Sequence, residues 1–276
     1  MDFGRVLKLL SYHVVYDSSI LDSIEFAHKN GFSGVQIAIE SPHLSFENIS
    51  DAEITKIKER SEELGIRITL HGPDNLSLLC SNVSLCNGII SYYSELFAFA
   101  KRINAEILTM HLGSPETFPT DAASPEIFPK QDVTYYKDAL SKNLDKLISL
   151  SVGKIQLCIE NYLLYDFILN VIQEKIKKNA YLCWDIPKTY NKDGSINREI
   201  NNFFMKNLPS VKQVHLHNIR DGHSHTTIER GLIDFCYYMK ILKDVDVLDY
   251  CIEVRPREKA IESLNNLKKI LLKCQS

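Results

Sequence analysis

Eight short runs rich in apolar and β-branched residues, each followed by a helix-length segment, divide the chain from end to end: 6–12, 34–40, 66–72, 106–113, 154–160, 180–186, 211–217 and 249–255. Between them the clearest helical segments are SSILDSIEFAHKNG, DAEITKIKERSEELG, GIISYYSELFAFAKRIN and QDVTYYKDALSKNLDKLISL, with apolar residues three and four apart and capping residues or Gly/Asn at their ends. Strand-then-helix units repeated without a linker or compositional break predict one α/β domain over 1–276, a single (β/α)8 barrel. An open doubly wound sheet is the alternative, but no GxGxxG follows the first run.

Barrel enzymes carry their sites at the C-terminal ends of the strands. Near the ends of the third to eighth runs stand His71, His111, Glu160, Asp185, His215 and Glu253. Side chains alternate along a strand, so the preceding residues, Leu70, Met110, Ile159, Trp184, Val214 and Ile252, should face the outer helices, and all are apolar. Parity therefore points the polar six into the barrel mouth. Two positions back, Thr69, Thr109, Cys158, Cys183, Gln213 and Cys251 form a deeper inward layer, where the cysteines are expected to pack as small apolar groups. Three carboxylates and three imidazoles converging on one cavity repel and desolvate one another unless they share a cation, which predicts a divalent metal.

Composition narrows the function further. Lysine and arginine (32) against aspartate and glutamate (35) give −3, so there is no overall basic field to draw the chain to nucleic acid or an anionic membrane. The start, MDFGRVLKLLSYHVVYDSS, has only a short apolar run broken by Lys8 and His13, and no run approaches the roughly 18 to 20 apolar residues of a spanning helix, so a cytoplasmic location is expected. Seven cysteines scattered without CxxC spacing predict reduced thiols.

At HGPDNLSL, MHLGS, CIEN, CWDIPK, VHLHNIRDGHSHTTIERGLIDF and IEVRP the sequence resembles the xylose isomerase-like TIM barrel superfamily. The likeness is to its sugar phosphate isomerase/epimerase group and to the related zinc-dependent apurinic-site endonucleases. The ordered set runs along essentially the whole chain. For the isomerase and epimerase members the resemblance implies one divalent metal held by Glu160, Asp185, His215 and Glu253. His215 rather than His217 is the ligand when HLHN is matched to the family's H-x-x-D, with Asn218 in the place of the Asp. It also implies proton transfer next to a ketose carbonyl through a metal-stabilised enediolate, with Glu160 and Glu253 as the acid and base. Return of the proton by the same base gives an isomer, return on the opposite face an epimer, and both remain open. The mixed donor set suits manganese, cobalt, zinc or iron, and magnesium less well. A sugar or sugar phosphate is the implied partner, and a homo-oligomer is a further possibility.

The endonuclease pattern uses His71 and His111 for a second zinc, whereas the isomerases use those positions to touch substrate. Its third metal needs a His three residues after the strand-six Asp and an Asp-x-His pair after strand seven. Here Lys188 stands in the first place and His223 and His225 in the second, so the abasic-site phosphodiesterase is the second reading and a sugar- or metal-binding barrel without turnover the third. Lys188 is read as a substrate-anion contact or a solvated surface charge. Arg255 shares Glu253's parity and would grip a phosphate or carboxylate, or else pair with a neighbouring acid. His217 would position substrate or support a ligand, and His223 and His225 would bind a further metal or line a solvated loop. The loop of residues 114–130, with Pro115, Pro119, Pro125 and Pro129, is long enough for a lid or an oligomer contact.

Overall fold

The computed structural model describes residues 3–118, 129–229 and 231–275. Seven strands lead in chain order: β1 (Leu10–Val14), β2 (Gly34–Ala38), β3 (Arg67–His71), β4 (Ile107–Met110), β5 (Gln156–Glu160), β6 (Ala180–Asp185) and β7 (Val211–Leu216). A small antiparallel hairpin of β8 (Asn218–Arg220) and β9 (His223–Thr226) follows, and then β10 (Asp249–Ile252). β1 to β7 and β10 close into a parallel barrel, sealed where Leu10, Ser11 and Tyr12 pair with Tyr250, Cys251 and Ile252. The helices are α1 (Gly4–Leu7), α2 (Ile20–Asn30), α3 (Asp51–Leu64), α4 (Val83–Arg102), α5 (Val133–Ser151), α6 (Asp166–Lys175), α7 (Arg198–Lys206), α8 (Phe235–Leu242) and α9 (Arg257–Gln275).

Local sequence explains the boundaries. Ser19 caps α2 by accepting from Asp22 N–H, and Gly31 ends it in the left-handed conformation that glycine tolerates. Ser50 and Glu53 form a reciprocal capping box at the start of α3. α4 starts at Val83, before the expected segment, because the Asn82 side chain accepts from Ser84 and Leu85 N–H. The first run departs further from expectation: residues 4–7 coil into α1 and the strand occupies Leu10–Val14 rather than 6–12.

The alternation of faces is as expected. Leu70, Met110, Ile159, Trp184, Val214 and Ile252 are buried in the layer between sheet and helices, where Trp184 stacks on Phe204 of α7 and meets Tyr238 of α8 edge-on. Inside the barrel, a polar layer lies beneath the mouth. Gln213 accepts from Thr109 and donates to Asp249 Oδ2 at 2.8 Å, while Ser11 donates to the same carboxylate oxygen at 2.9 Å. Cys158 and Cys183 pack with Ile107 in a small apolar cluster, and burial pushes both thiols up, which keeps them protonated. The expectation of seven reduced thiols needs one correction. Cys236 of α8 and Cys274 of α9 form a disulfide, with Cα atoms 5.9 Å apart across two helices whose contact no sequence spacing reveals. Of the proline-bearing loop after β4, residues 119–128, and with them the lid or oligomer contact expected there, lie outside the described residues. Among the described residues no helix is long and apolar enough to cross a membrane.

Candidate metal and catalytic site at the barrel mouth

All six strand-end residues named from parity are buried at the C-terminal mouth. They converge on Glu160. Its Oε2 lies 3.3 Å from His71 Nε2 and 3.4 Å from His215 Nδ1, and its Oε1 lies 3.3 Å from His111 Nε2 and in contact with Lys188 Nζ. His215 Nδ1 is also 3.4 Å from Glu253 Oε2. One imidazole nitrogen is thus flanked by carboxylates from β5 and from the end of β10. Asp185 completes the group: its Oδ2 meets Lys188 Nζ at 3.1 Å and His217 Nε2 at 3.3 Å.

The charges follow from these contacts. Burial raises the Glu160 carboxyl, but Lys188, His215, His111 and His71 together hold it well below the usual carboxylate range. Glu253 is likewise held well below that range: burial opposes ionisation and His215 and Lys188 outweigh it. Burial lowers His111, yet the Asp74 and Glu160 carboxylates close to its two ring nitrogens raise its pKa to about 9. Asp74 comes from the loop after β3, with Oδ1 3.0 Å from His111 Nδ1, and its own backbone N–H donates to Glu40 at 2.9 Å.

A pH dependence follows for the metal-free protein. His111 has its pKa raised in the fold above the ordinary 6.5, so its stabilising contribution is full below that value and is lost as pH rises through about 9. Asp74→Ala removes one of its two carboxylates and should bring the His111 titration down, read from its ring-proton NMR shifts; an unmoved midpoint would contradict this electrostatic assignment.

The remaining expected residues divide. Lys188 reaches into the mouth with its side chain 21% exposed. Its ammonium is paired with Glu160 and Asp185 beneath the Tyr162 ring, 5.2 Å from the ring centroid. Arg255 takes its bland alternative, an ion pair with Glu253 at 3.2 Å. His217 faces inward as expected and stacks on His225 with centroids 4.1 Å apart, and His225 Nδ1 reaches within 3.7 Å of Glu253 Oε2. His223, its neighbour in the expected pair, lies exposed on the β8–β9 hairpin and makes none of these contacts among the described residues.

Besides Asp74, three further residues at the mouth were missed. His13, on β1, has Nδ1 3.7 Å from Glu253 Oε1, and burial pushes its imidazole well below the ordinary range, so it is neutral. Parity with Ser11 within the shifted strand would have placed it. Gln36 of β2 meets His215 Nε2 at 3.0 Å, and only its inward parity within GVQIA marks it. Tyr162, stacked on His111 with centroids 4.3 Å apart, sits on a loop without periodicity.

The donor set fits a cation. One ligand atom each from Asp185, His215 and Glu253 lie within 4.8 Å of one another, as do those of His71, Asp74 and His111, and of His217, His225 and Glu253. His215 Nδ1 and Glu253 Oε2 are buried without a hydrogen bond, an arrangement that a shared ion relieves.

Fold and site together define a (β/α)8 barrel with a buried histidine and carboxylate cluster at its C-terminal mouth. The chain belongs to the xylose isomerase-like TIM barrel family, whose model matches residues 24–270. Solved structures similar to it include a D-tagatose 3-epimerase-like protein, with TM-score 0.74 and 18% identity over 97% of this chain and 98% of that one. A 3-keto-D-glucoside 4-epimerase from E. coli has TM-score 0.69 and 13% identity over 95% and 98%. Endonuclease IV from Thermus thermophilus has TM-score 0.69 and 15% identity over 96% and 99%. At these identities the likeness is one of fold. No curated protein matches the chain.

Proposed function

We propose that this chain is a divalent-metal-dependent isomerase or epimerase of a sugar or sugar phosphate, moving a proton at the carbon beside a carbonyl. The observation that carries this reading is the pair of buried, ionised carboxylates, Glu160 and Glu253, each 3.4 Å from His215 Nδ1. Glu160, Asp185, His215 and Glu253 would hold one ion of manganese, cobalt, zinc or iron. When bound, such an ion polarises the carbonyl and adjacent hydroxyl and stabilises the negative charge of the enediolate.

The chain's own residues do the rest. One of Glu160 and Glu253 accepts the carbon-bound proton and one returns it; return by the same carboxylate gives an isomer and return by the other, on the opposite face, an epimer. His215 is favoured over His217 as the ligand because its Nδ1 lies 3.4 Å from both Glu160 and Glu253, whereas His217 Nε2 lies 3.9 Å from Glu253. His217 Nδ1 accepts the fixed backbone N–H of His225 at 2.9 Å, so its Nε2 carries the proton and donates to Asp185. His215 Nε2 accepts from the Gln36 side-chain amide at 3.0 Å, so in the metal-free protein its Nδ1 carries the ring proton toward Glu160 and Glu253, and an ion would take that proton's place. His71 donates from Nδ1 to Gly72 O at 2.9 Å and aims Nε2 into the mouth, so it and His111 suit substrate hydroxyls. The epimerases among the structural neighbours support this reading. Lys188 weighs against the abasic-site endonuclease, since an ammonium stands where that reading needs a third metal's imidazole.

Elemental analysis of protein purified without chelator tests the proposal. One metal per chain, lost in Glu160→Ala, is the expected result. Two or three zinc ions per chain would turn the reading toward the nuclease, and no metal even after reconstitution would overturn both.

A further inference from the structure

We propose that Lys188 is a tethered cation that takes the place of a second divalent ion beside Glu160, so that the mouth holds one ion and no more. The inference rests on the metal-dependent reading above and concerns how many ions the site accepts. Glu160 uses its two oxygens differently: Oε2 faces His71 and His215, whereas Oε1 faces His111 and the Lys188 ammonium. Next to it, His71, Asp74 and His111 bring a second imidazole and carboxylate donor group within 4.8 Å. An ion bound there would need Glu160 Oε1 to complete its shell and balance its charge. That oxygen is already taken by a positive charge, and a divalent ion drawn to it would meet the ammonium at close range in a site with little water to screen the repulsion.

The ammonium is held in place by the fold. The 3₁₀ turn Pro187–Thr189 follows directly on β6. Lys188 N–H donates to Asp185 Oδ1 at 3.0 Å, and Thr189 Oγ1 accepts from the Trp184 indole at 2.9 Å, so the backbone at Lys188 is fixed from both sides. The side chain then runs back over Asp185 to Glu160 and is covered by Tyr162, which also stacks on His111. Lysine suits this task because it brings a permanent point charge that needs no loading and offers no lone pair to a metal.

Wild type, Lys188→Met and Lys188→Arg would be loaded with Zn(II), passed through gel filtration and counted for zinc per chain, with circular dichroism to show that each is folded. One ion in wild type and in the arginine variant, two in the methionine variant, and return to one in Lys188→Met combined with His111→Ala is the expected result. A methionine variant that keeps the wild-type count overturns the inference while leaving a one-ion isomerase or epimerase standing. Two ions in wild type also overturn it. No ion in wild type but uptake by the methionine variant sinks the metal-dependent reading and with it the inference of a one-ion mouth. No uptake by any variant overturns the inference as well. Should Lys188→Met not fold, a Co(II) absorption titration of wild type decides: one binding step supports the inference, two overturn it.

Discussion

Glu253→Gln should slow hydrogen exchange between a ketose and solvent by about 10²- to 10⁴-fold, the ordinary contribution of a positioned acid or base, while leaving the fold intact. The substitution keeps the size of the side chain and removes its capacity to take a proton. Glu253 is almost fully buried, and its carboxylate is surrounded by His215, His13, His225 and Arg255 at 3.2 to 3.7 Å. Its backbone N–H is held independently by Leu216 O at 3.0 Å, so the strand end does not depend on the carboxylate. Deuterium incorporation followed by mass spectrometry, paired with a thermal melt, separates the chemical effect from a structural one. Unchanged exchange would remove Glu253 from the reaction.

Trp184→Ala should destabilise the protein by about 3 to 5 kcal/mol, the usual penalty for emptying a large buried aromatic site, which lowers the melting temperature by roughly 10 °C for a chain of this size. Trp184 is fully buried on the outward face of β6, stacked on Phe204 at 5.4 Å and edge-on to Tyr238 at 5.5 Å. Two helices therefore lose a shared packing partner. Its indole N–H also holds Thr189, next to Lys188, so the same substitution loosens the turn that aims the ammonium. Trp184→Phe keeps most of the packing and should cost less. A melt within a degree of wild type for the alanine variant would contradict this picture of the layer.

The contrast between Trp184 and Asp185 shows why so much of the site was legible. A strand buried on both faces with a polar residue at or just past its end states which side faces the cavity, and six strands did so. His13 escaped because VLKLL reads as strand although Gly4–Leu7 is helix, and a shift of the strand to Leu10–Val14 changes which residues reach the mouth. Asp74 and Tyr162 belong to loops, whose return over the mouth has no periodic signal. Lys188 was visible as a residue but not as a partner of Glu160. The i, i+3 spacing to Asp185 is local, whereas the contact with Glu160 comes from the neighbouring strand in the closed barrel. The convergence of carboxylates and imidazoles reads in the sequence as a demand for a metal, and the fold meets part of that demand with its own ammonium.

The most direct measurement is deuterium exchange by the wild-type protein, loaded with Mn(II), Co(II), Zn(II) or Fe(II), over a panel of ketoses and ketose phosphates in D2O. Deuterium entering at the carbon beside the carbonyl of at least one sugar, dependent on the metal and lost in Glu253→Gln, is the expected result. No exchange with any sugar by a metal-loaded protein that cleaves abasic DNA would contradict the isomerase or epimerase account.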